Sequence, residues 1–154
     1  MGYDGVVVAA ILLSVALAEP VDASALELRM FELVNVERET RGLEKLSWSP
    51  TLAGIARDYS RQMASAKEAR HGLDRTIEER IRSVRPGACG FGENVSRHTN
   101  IDYSLGDLML SPGHRGNLLS PRFTEVGIGI VPDDDGFLYI TQEFASPCPP
   151  PRKR

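Results

Sequence analysis

The sequence predicts an α+β fold, in which helices come first along the chain and an antiparallel hairpin closes it. Two stretches with helical spacing of apolar residues lie within residues 24–66, whereas strand-like alternation appears only after residue 125. A doubly wound parallel sheet would need strands and helices that alternate along the chain. The length of 154 residues, with 42% hydrophobic and 25% charged residues, fits one globular domain.

An apolar segment precedes this domain. Gly5 to Ala18 is an uncharged run, shorter than the roughly 20 residues that a membrane-spanning helix needs. It is typical of the core of a secretory signal, and Ala16-Leu17-Ala18 supplies the small residues that precede a cleavage site. Because Asp4 stands where a basic residue is expected, a retained membrane anchor is the alternative. Residues 1–18 are therefore predicted to be a signal peptide or an anchor, and both imply export.

The first two helices are predicted by their caps. Ser24-Ala25-Leu26-Glu27 forms a capping box, and Gly42 is placed to end that helix. Ser49-Pro50 begins the second helix, because Ser is a preferred N-cap and Pro suits the first helical position. Apolar stripes predict the sides that face the core: Leu26, Met30, Leu33 and Val34, then Leu52, Ile55, Ala56, Tyr59 and Met63.

The central part of the chain has weaker signals. His71-Gly72 lies in a predicted loop, and Thr76 to Glu79 forms a second capping box that starts a short helix ending near Ser83. Prolines and glycines break residues 86–92, which we expect to be loop or irregular strand. Residues 101–110 have the spacing of a helix; Ser111-Pro112-Gly113 interrupts it, and residues 114–119 make one more turn.

The end of the domain reads as a β-hairpin. Val126, Ile128 and Ile130 alternate with small residues, the segment 133–136 supplies a turn, and Phe137 to Phe144 forms the returning strand. After it, residues 147–154 are predicted to be a proline-rich basic tail.

Charge and cysteine content exclude several classes of protein. The formal net charge is -3, and no Lys/Arg block sits beside interleaved aromatic residues, so no nucleic-acid partner is expected. Only Cys89 and Cys148 occur, which excludes a disulfide-dense scaffold. Outside the cytoplasm they would either pair or remain two free thiols, and the sequence leaves both possibilities open.

Three residues in the central segments are candidates for chemistry. His71 and His114 each have a glycine neighbour, and histidine is the commonest metal ligand and proton-transfer group near neutral pH. Glu93 lies between Gly92 and Asn94, where a strand would enter the core, and buried carboxylates need partners. Glu93 and His114 have structural alternatives, since Glu93 could accept backbone N–H groups and His114 could brace its turn.

Two further polar residues border the predicted hairpin strands. Glu125 and Gln142 face either the same side as the histidines or water. No regular motif such as HExxH joins any of these residues. Spacing alone therefore predicts a polar cleft and leaves its chemistry open.

An ordered set of short segments adds to this interpretation. They are Leu33-Val34-Asn35-Val36-Glu37-Arg38, Gly42-Leu43, Leu46-Ser47-Trp48, Leu52-Ala53, Ala56-Arg57, His71, Gly92-Glu93-Asn94-Val95, Ser111-Pro112-Gly113-His114-Arg115, Asn117-Leu118-Leu119, Phe123-Thr124-Glu125-Val126-Gly127 and Tyr139-Ile140-Thr141-Gln142. In this order, over roughly residues 26–145, they resemble the CAP superfamily (SCP domain; cysteine-rich secretory proteins, antigen 5 and pathogenesis-related proteins), in its bacterial and archaeal form.

The resemblance implies a three-layer α-β-α sandwich with a small antiparallel sheet between helices, here over residues 24–146, and it implies secretion. It also implies a cleft with two histidines and two acids, of which His71, His114 and Glu93 match the sequence. The second acid has no clear counterpart, because Asp107 is near but out of register. Leu108 stands where the family usually has a tryptophan.

The functional hypotheses follow from this cleft, which we expect to contain His71, Glu93, Asn94, Ser111, His114, Glu125 and Gln142. We favour a non-catalytic extracellular binding module for a lipid, glycan or protein, with zinc or another divalent cation as a candidate cofactor on His71, His114 and Glu93. One alternative is a secreted peptidase or esterase that uses the same three residues. The other is a lipid-binding protein. A membrane contact is expected only through an uncleaved leader.

Overall fold

The computed structural model describes residues 21–149, so the predicted leader and the end of the predicted tail lie outside the described residues. In chain order the elements are α1 (Ala23–Glu39), β1 (Ser47–Trp48), α2 (Pro50–Ala66), α3 (Ile77–Val84), β2 (Ala88–His98), α4 (Ile101–Leu110), α5 (Pro112–Leu118), β3 (Glu125–Pro132) and β4 (Leu138–Pro147).

The start of α1 differs from the predicted capping box. Asp22 is the N-cap, and its carboxylate accepts from the N–H groups of Ser24 and Ala25. Glu27 is buried instead, where it binds Arg57 of α2. The prediction was wrong because Glu27 has partners in the tertiary structure that the local pattern does not reveal.

The starts of α2 and α3 are as predicted. The hydroxyl of Ser49 accepts from the N–H of Leu52, with proline at the first turn of α2. In α3, Thr76 and Glu79 form the reciprocal capping box. The helix after the Ser-Pro-Gly break begins earlier than predicted, at Pro112, because Pro suits the first helical position.

The four strands form one sheet in the order β1-β3-β4-β2. The predicted hairpin is confirmed, since β3 and β4 pair antiparallel and Gly136 turns the chain with a φ of 81°. β2 pairs antiparallel with β4, while the two-residue β1 adds a parallel pairing to β3. The stretch predicted as loop or irregular strand belongs largely to β2, with one irregularity between Ala88 and Gly90.

Helices cover both faces of this sheet, which confirms the α-β-α sandwich. The larger core contains side chains of α1, α4, β3 and β4, including Met30, Leu105 and Ile128. On the opposite face α2 lies against the hairpin so closely that a Cβ on Gly127 would sit 2.0 Å from the backbone nitrogen of Ala53. Small residues in β3 therefore set the distance between this helix and the sheet.

A disulfide joins Cys89 and Cys148 across 59 residues, which resolves the alternative left open by the sequence. It ties the start of β2 to the chain just after β4, where the N–H of Cys148 also donates to the carbonyl of Gly87. The first residues of the predicted tail are thus attached to the domain. Within residues 21–149, the longest apolar helical stretch falls short of what crossing a membrane requires.

Candidate functional site

The two predicted histidines meet in a cleft beside β2, at one edge of the sheet. His71 comes from the loop after α2 and His114 from α5, and the centroids of their rings are 6.0 Å apart. They line a cavity of about 390 Å³ together with Ile77, Phe91, Gly92, Glu93, Ser111, Gly113 and Asn117. The sheet edge supplies the floor, while α5 and the loop after α2 supply the walls.

Glu93 fixes the orientation of His71. Its side chain is fully buried, and Oε1 lies 2.6 Å from Nδ1 of His71. The other carboxylate oxygen accepts from the guanidinium of Arg80. The His71 side chain is 47% exposed and lines the cleft, and Glu93 engages only Nδ1 of its ring, which leaves the other nitrogen, Nε2, outside this contact.

Arg80 is a buried residue that contacts three acidic side chains. Besides Glu93, its guanidinium donates to Glu143 at 3.1 Å and to Asp74 at 2.9 Å, and it stacks on the ring of Tyr59 at 3.9 Å. Sequence reasoning missed this residue. A signal was present, since Arg80 lies three residues after Ile77 and four before Val84, on the apolar side of α3.

Glu143 is a second buried acid, and no sequence pattern indicated it. It lies directly opposite Glu93 in the pairing of β4 with β2, and both side chains face α2 and α3. Burial raises the pKa of Glu143 to about 7, although the charge of Arg80 opposes that rise. Its Oε2 is buried without a hydrogen-bond partner within residues 21–149.

Neutral amides hold the other side of the cleft. The Nδ2 group of Asn94 donates to the carbonyl of His114 at 3.1 Å and to Oε1 of Gln142 at 3.0 Å. Asn117 donates to Oδ1 of Asn94 at 2.9 Å and to the carbonyl of Glu93 at 3.0 Å. Asn94 and Gln142 are cross-strand partners on the face opposite to Glu93 and Glu143. They lie beneath the cleft and position its wall.

The surroundings of His71 and His114 lower the pKa of both imidazoles and so favour their neutral forms. Burial and the nearby charge of Arg80 lower the pKa of His71. Burial and the neighbouring His71 lower the pKa of His114. In the neutral form of His71, the nitrogen next to the carboxylate carries the proton, so Nε2 keeps its lone pair for a ligand.

Glu125 and Asp107, the two other acids considered for the cleft from the sequence, lie outside it. Glu125, predicted to be a cleft residue, is paired with Arg85 at the start of β3, and β4 separates it from β2. The distance of Glu125 from the cleft could not be derived from the sequence, because alternation gives the face on which a side chain lies but not the position of its strand in the sheet. Asp107 lies 3.6 Å from His98 with an exposed side chain.

The groups in the cleft that could bind a metal ion are mainly the imidazole nitrogens of His71 and His114. Within residues 21–149 there is no group of three or more His, Cys, Asp or Glu side chains arranged to hold a metal ion. Both oxygens of Glu93 are already engaged, by His71 and Arg80. Neither oxygen of Glu93 is therefore left without a partner in the protein, and the predicted metal role of the three residues stays a prediction.

Known proteins resemble this chain over most of the described residues. A family model described as the cysteine-rich secretory protein family, CAP, matches residues 31–144. The uncharacterized protein YkwD of Bacillus subtilis is 31% identical over 128 residues, and the uncharacterized membrane protein YlbC of the same organism is 26% identical over 121. These matches take in 81% and 77% of this chain, which spans only 49% and 34% of the two relatives.

Solved structures share the fold. An outer surface protein from Borrelia burgdorferi superposes with a TM-score of 0.78 at 16% identity, covering 83% of this chain and 97% of that one. An extracellular protein containing a SCP domain from Bacillus anthracis has a TM-score of 0.72 at 27% identity, covering 80% of this chain and 41% of that one. At 16% identity the first likeness bears on the fold alone.

Proposed function

Because this chain belongs to the cysteine-rich secretory protein (CAP) family, we propose that it is an exported binding module whose cleft takes a divalent cation between His71 and His114. The observation that carries the proposal is the fixed imidazole of His71. A carboxylate on one ring nitrogen sets the tautomer and orients the other nitrogen, as the carboxylate partners of metal-bound histidines do. Arg80 holds that carboxylate in turn.

The chemistry of the donors fits zinc or a similar cation. Two neutral imidazoles would supply two of the four ligands of a tetrahedral zinc ion, and water or groups of the bound partner would supply the other two. The lowered pKa values of His71 and His114 support this role, because only the unprotonated ring is a ligand. A bound cation would supply a Lewis-acid centre that attracts an oxygen or nitrogen group of the partner.

Three observations support export. The described structure contains a disulfide, which is typical of oxidising compartments. The related Bacillus anthracis chain is described as an extracellular protein. The predicted leader points the same way. Because the chain covers half or less of its curated relatives, the role proposed is that of this domain.

A hydrolase would need an activated nucleophile in the same cleft. Ser111 lines the cavity, and within residues 21–149 no hydrogen bond joins its hydroxyl to either histidine. A binding role therefore accounts for the cleft with fewer additional groups. Ester and peptide substrate panels on the wild type and on His71→Ala would detect a hydrolase by activity that the variant loses.

Calorimetric titration with zinc chloride tests the metal proposal. We expect near-unit stoichiometry for the wild type and no measurable binding after His71→Ala combined with His114→Ala. His98→Ala is the matched control, because this third histidine lies at the far end of β2 beside Asp107 and should leave binding unchanged. Equal binding by the double variant and the wild type would refute the proposal.

A further inference from the structure

The outer edge of β2 turns main-chain hydrogen-bonding groups toward the cleft. In the sheet order β1-β3-β4-β2, β2 pairs only with β4 among residues 21–149. In an antiparallel strand the N–H and C=O of one residue point to the same side, and successive residues alternate. One bond to the edge is therefore enough to determine which residues face outward.

The amide of Asn117 supplies that bond. It donates to the carbonyl of Glu93 at 3.0 Å from α5, on the side of β2 away from β4. The main chain of Glu93 therefore faces outward. Phe91 precedes it by two residues without a register shift between them, so the N–H and C=O of Phe91 face outward as well.

A bond on the central strand gives the same result independently. The carbonyl of Ala145 accepts from the N–H of Thr124 at 3.1 Å, so the main chain of Ala145 points toward β3. Its neighbour Phe144 therefore points toward β2, where its partner is Gly92. Gly92 is used in the ladder, and Phe91, the partner of Ala145, is not.

This edge is open at Phe91. The alternation shows that the N–H and C=O of Phe91 take no part in the hydrogen bonds between β2 and β4. No other hydrogen bond to the main chain of Phe91 occurs within residues 21–149. Two cavities, of about 390 and 290 Å³, are both lined by Phe91 and Asn117 and so run along the edge. Edge strands are usually protected by charges or proline, whereas residues 90–92 are Gly-Phe-Gly.

We propose that this edge binds an extended peptide segment of a partner protein, which adds to β2 as a further strand and directs an acidic side chain toward Arg122. An N–H and a C=O on one outward-facing residue match the backbone of an extended peptide. Arg122 is the one charged residue lining the second cavity, and no ion pair within residues 21–149 involves it. The inference rests on the proposed binding role of the cleft but requires no metal.

A displayed library of random heptapeptides, screened against the protein in EDTA, provides the probe. One selected peptide is then synthesised with a single N-methyl group at each position in turn. A methyl group on the one residue whose N–H donates to the carbonyl of Phe91 should weaken binding about tenfold, the loss expected for one backbone hydrogen bond, while a methyl group on either neighbouring residue should change binding by less than about twofold. A screen that enriches no peptide, or a series in which no single position stands out from its neighbours, would overturn the proposal.

Substitutions at Phe91 test the protein side of the same bond. Phe91→Ala and Phe91→Pro both remove the ring, but only proline removes the N–H, and proline is tolerated where the N–H of an edge strand faces outward. We expect Phe91→Pro to bind the peptide about five- to tenfold more weakly than Phe91→Ala. Equal affinities would contradict strand addition; if Phe91→Pro does not unfold cooperatively, the methylation series decides.

The charge contact has a separate measurement. Arg122→Gln should weaken an acidic peptide and leave its Glu→Gln analogue unchanged, whereas equal losses for both peptides would contradict the acidic preference. Because these titrations contain EDTA, failure of zinc binding does not affect them. A protein that binds zinc but enriches no peptide would keep the proposed function and lose this inference.

Discussion

The sheet has two outer edges, and the chain covers them differently. At the edge formed by β1 and β3, the short β1 pairs with Glu125 and Val126 of β3, and beyond β1 the carboxylate of Glu27 accepts from the N–H of Ile130 of β3 at 3.1 Å. On the β2 edge, Asn117 covers the carbonyl of Glu93, and the main chain of Phe91 stays open beside the histidines. Unpaired N–H and C=O groups at a sheet edge can pair with another strand. The comparison therefore distinguishes an edge that is covered by the chain itself from one that is available for binding.

Each edge also has a buried carboxylate beside an arginine, and the two pairs differ in what surrounds the arginine. Glu27 binds Arg57, whose side chain is 39% exposed. Glu93 binds Arg80, which is 2% exposed and is shared with Glu143 and Asp74. Arg57 can turn into water if its partner is lost, whereas Glu93 and Glu143, whose side chains are fully buried, cannot if Arg80 is lost. The cleft edge should therefore be the more sensitive to loss of an ion-pair partner.

The largest expected effect follows from Arg80→Met, which leaves Glu93 and Glu143 opposite each other without a cation. Loss of one partner of a buried ion pair costs about 3–5 kcal/mol, so urea unfolding at pH 7 should show a loss of that size. Arg82→Met is the control, because Arg82 lies on the same helix with an exposed side chain and should change stability by less than about 0.5 kcal/mol. Similar losses in the two variants would remove the proposed contrast between the edges.

The second effect depends on pH and sharpens the role of Glu143. Its folded-state pKa of about 7 lies above the ordinary value of 4.5, so the folded protein binds this proton more tightly than the unfolded chain. The resulting stabilisation is fully present below pH 4.5 and is lost as pH rises through about 7. At about 1.4 kcal/mol per unit of pKa, the difference is on the order of 3 kcal/mol.

Glu143→Gln should remove this dependence. Relative to the wild type, the variant should gain stability as pH rises between the two pKa values, measured by urea unfolding at several pH values. Glu78→Gln on the exposed side of α3 is the control and should show a constant difference. A difference between Glu143→Gln and the wild type that does not change with pH would show that Glu143 is ionised throughout.

The sequence predicted the helices and the hairpin because their signals are local. The Ser49-Pro50 start, the Thr76–Glu79 box and the alternation around Ile128 each depend on neighbours within a few residues. The order β1-β3-β4-β2 could not be predicted in the same way, because which strands are neighbours depends on contacts distant in sequence. For that reason Glu125 was assigned to the cleft although its strand lies beyond β4.

The candidate site shows the same contrast between local signals, which the sequence reveals, and contacts distant in sequence, which it does not. The convergence of His71, Glu93 and His114 came from a family resemblance, while spacing alone left three residues with separate structural explanations. Arg80 could have been found from its place among Ile77, Ile81 and Val84, since a charged residue on an apolar helix face needs a buried partner. The partners themselves are 13 and 63 residues away in the chain, and no local pattern identifies them.

The smallest of the three effects concerns the closed edge, and it tests what closing it achieves. Glu27→Ala leaves the buried N–H of Ile130 without an acceptor, which should cost about 1–3 kcal/mol in urea unfolding, because Arg57 can return to water. Glu27→Gln retains an acceptor and should lose less, while Glu32→Ala on the exposed side of α1 should change little. If the carboxylate also protects the edge, Glu27→Ala should self-associate in analytical ultracentrifugation at concentrations where Glu32→Ala is monomeric. Identical sedimentation of the two would limit Glu27 to stabilising the fold.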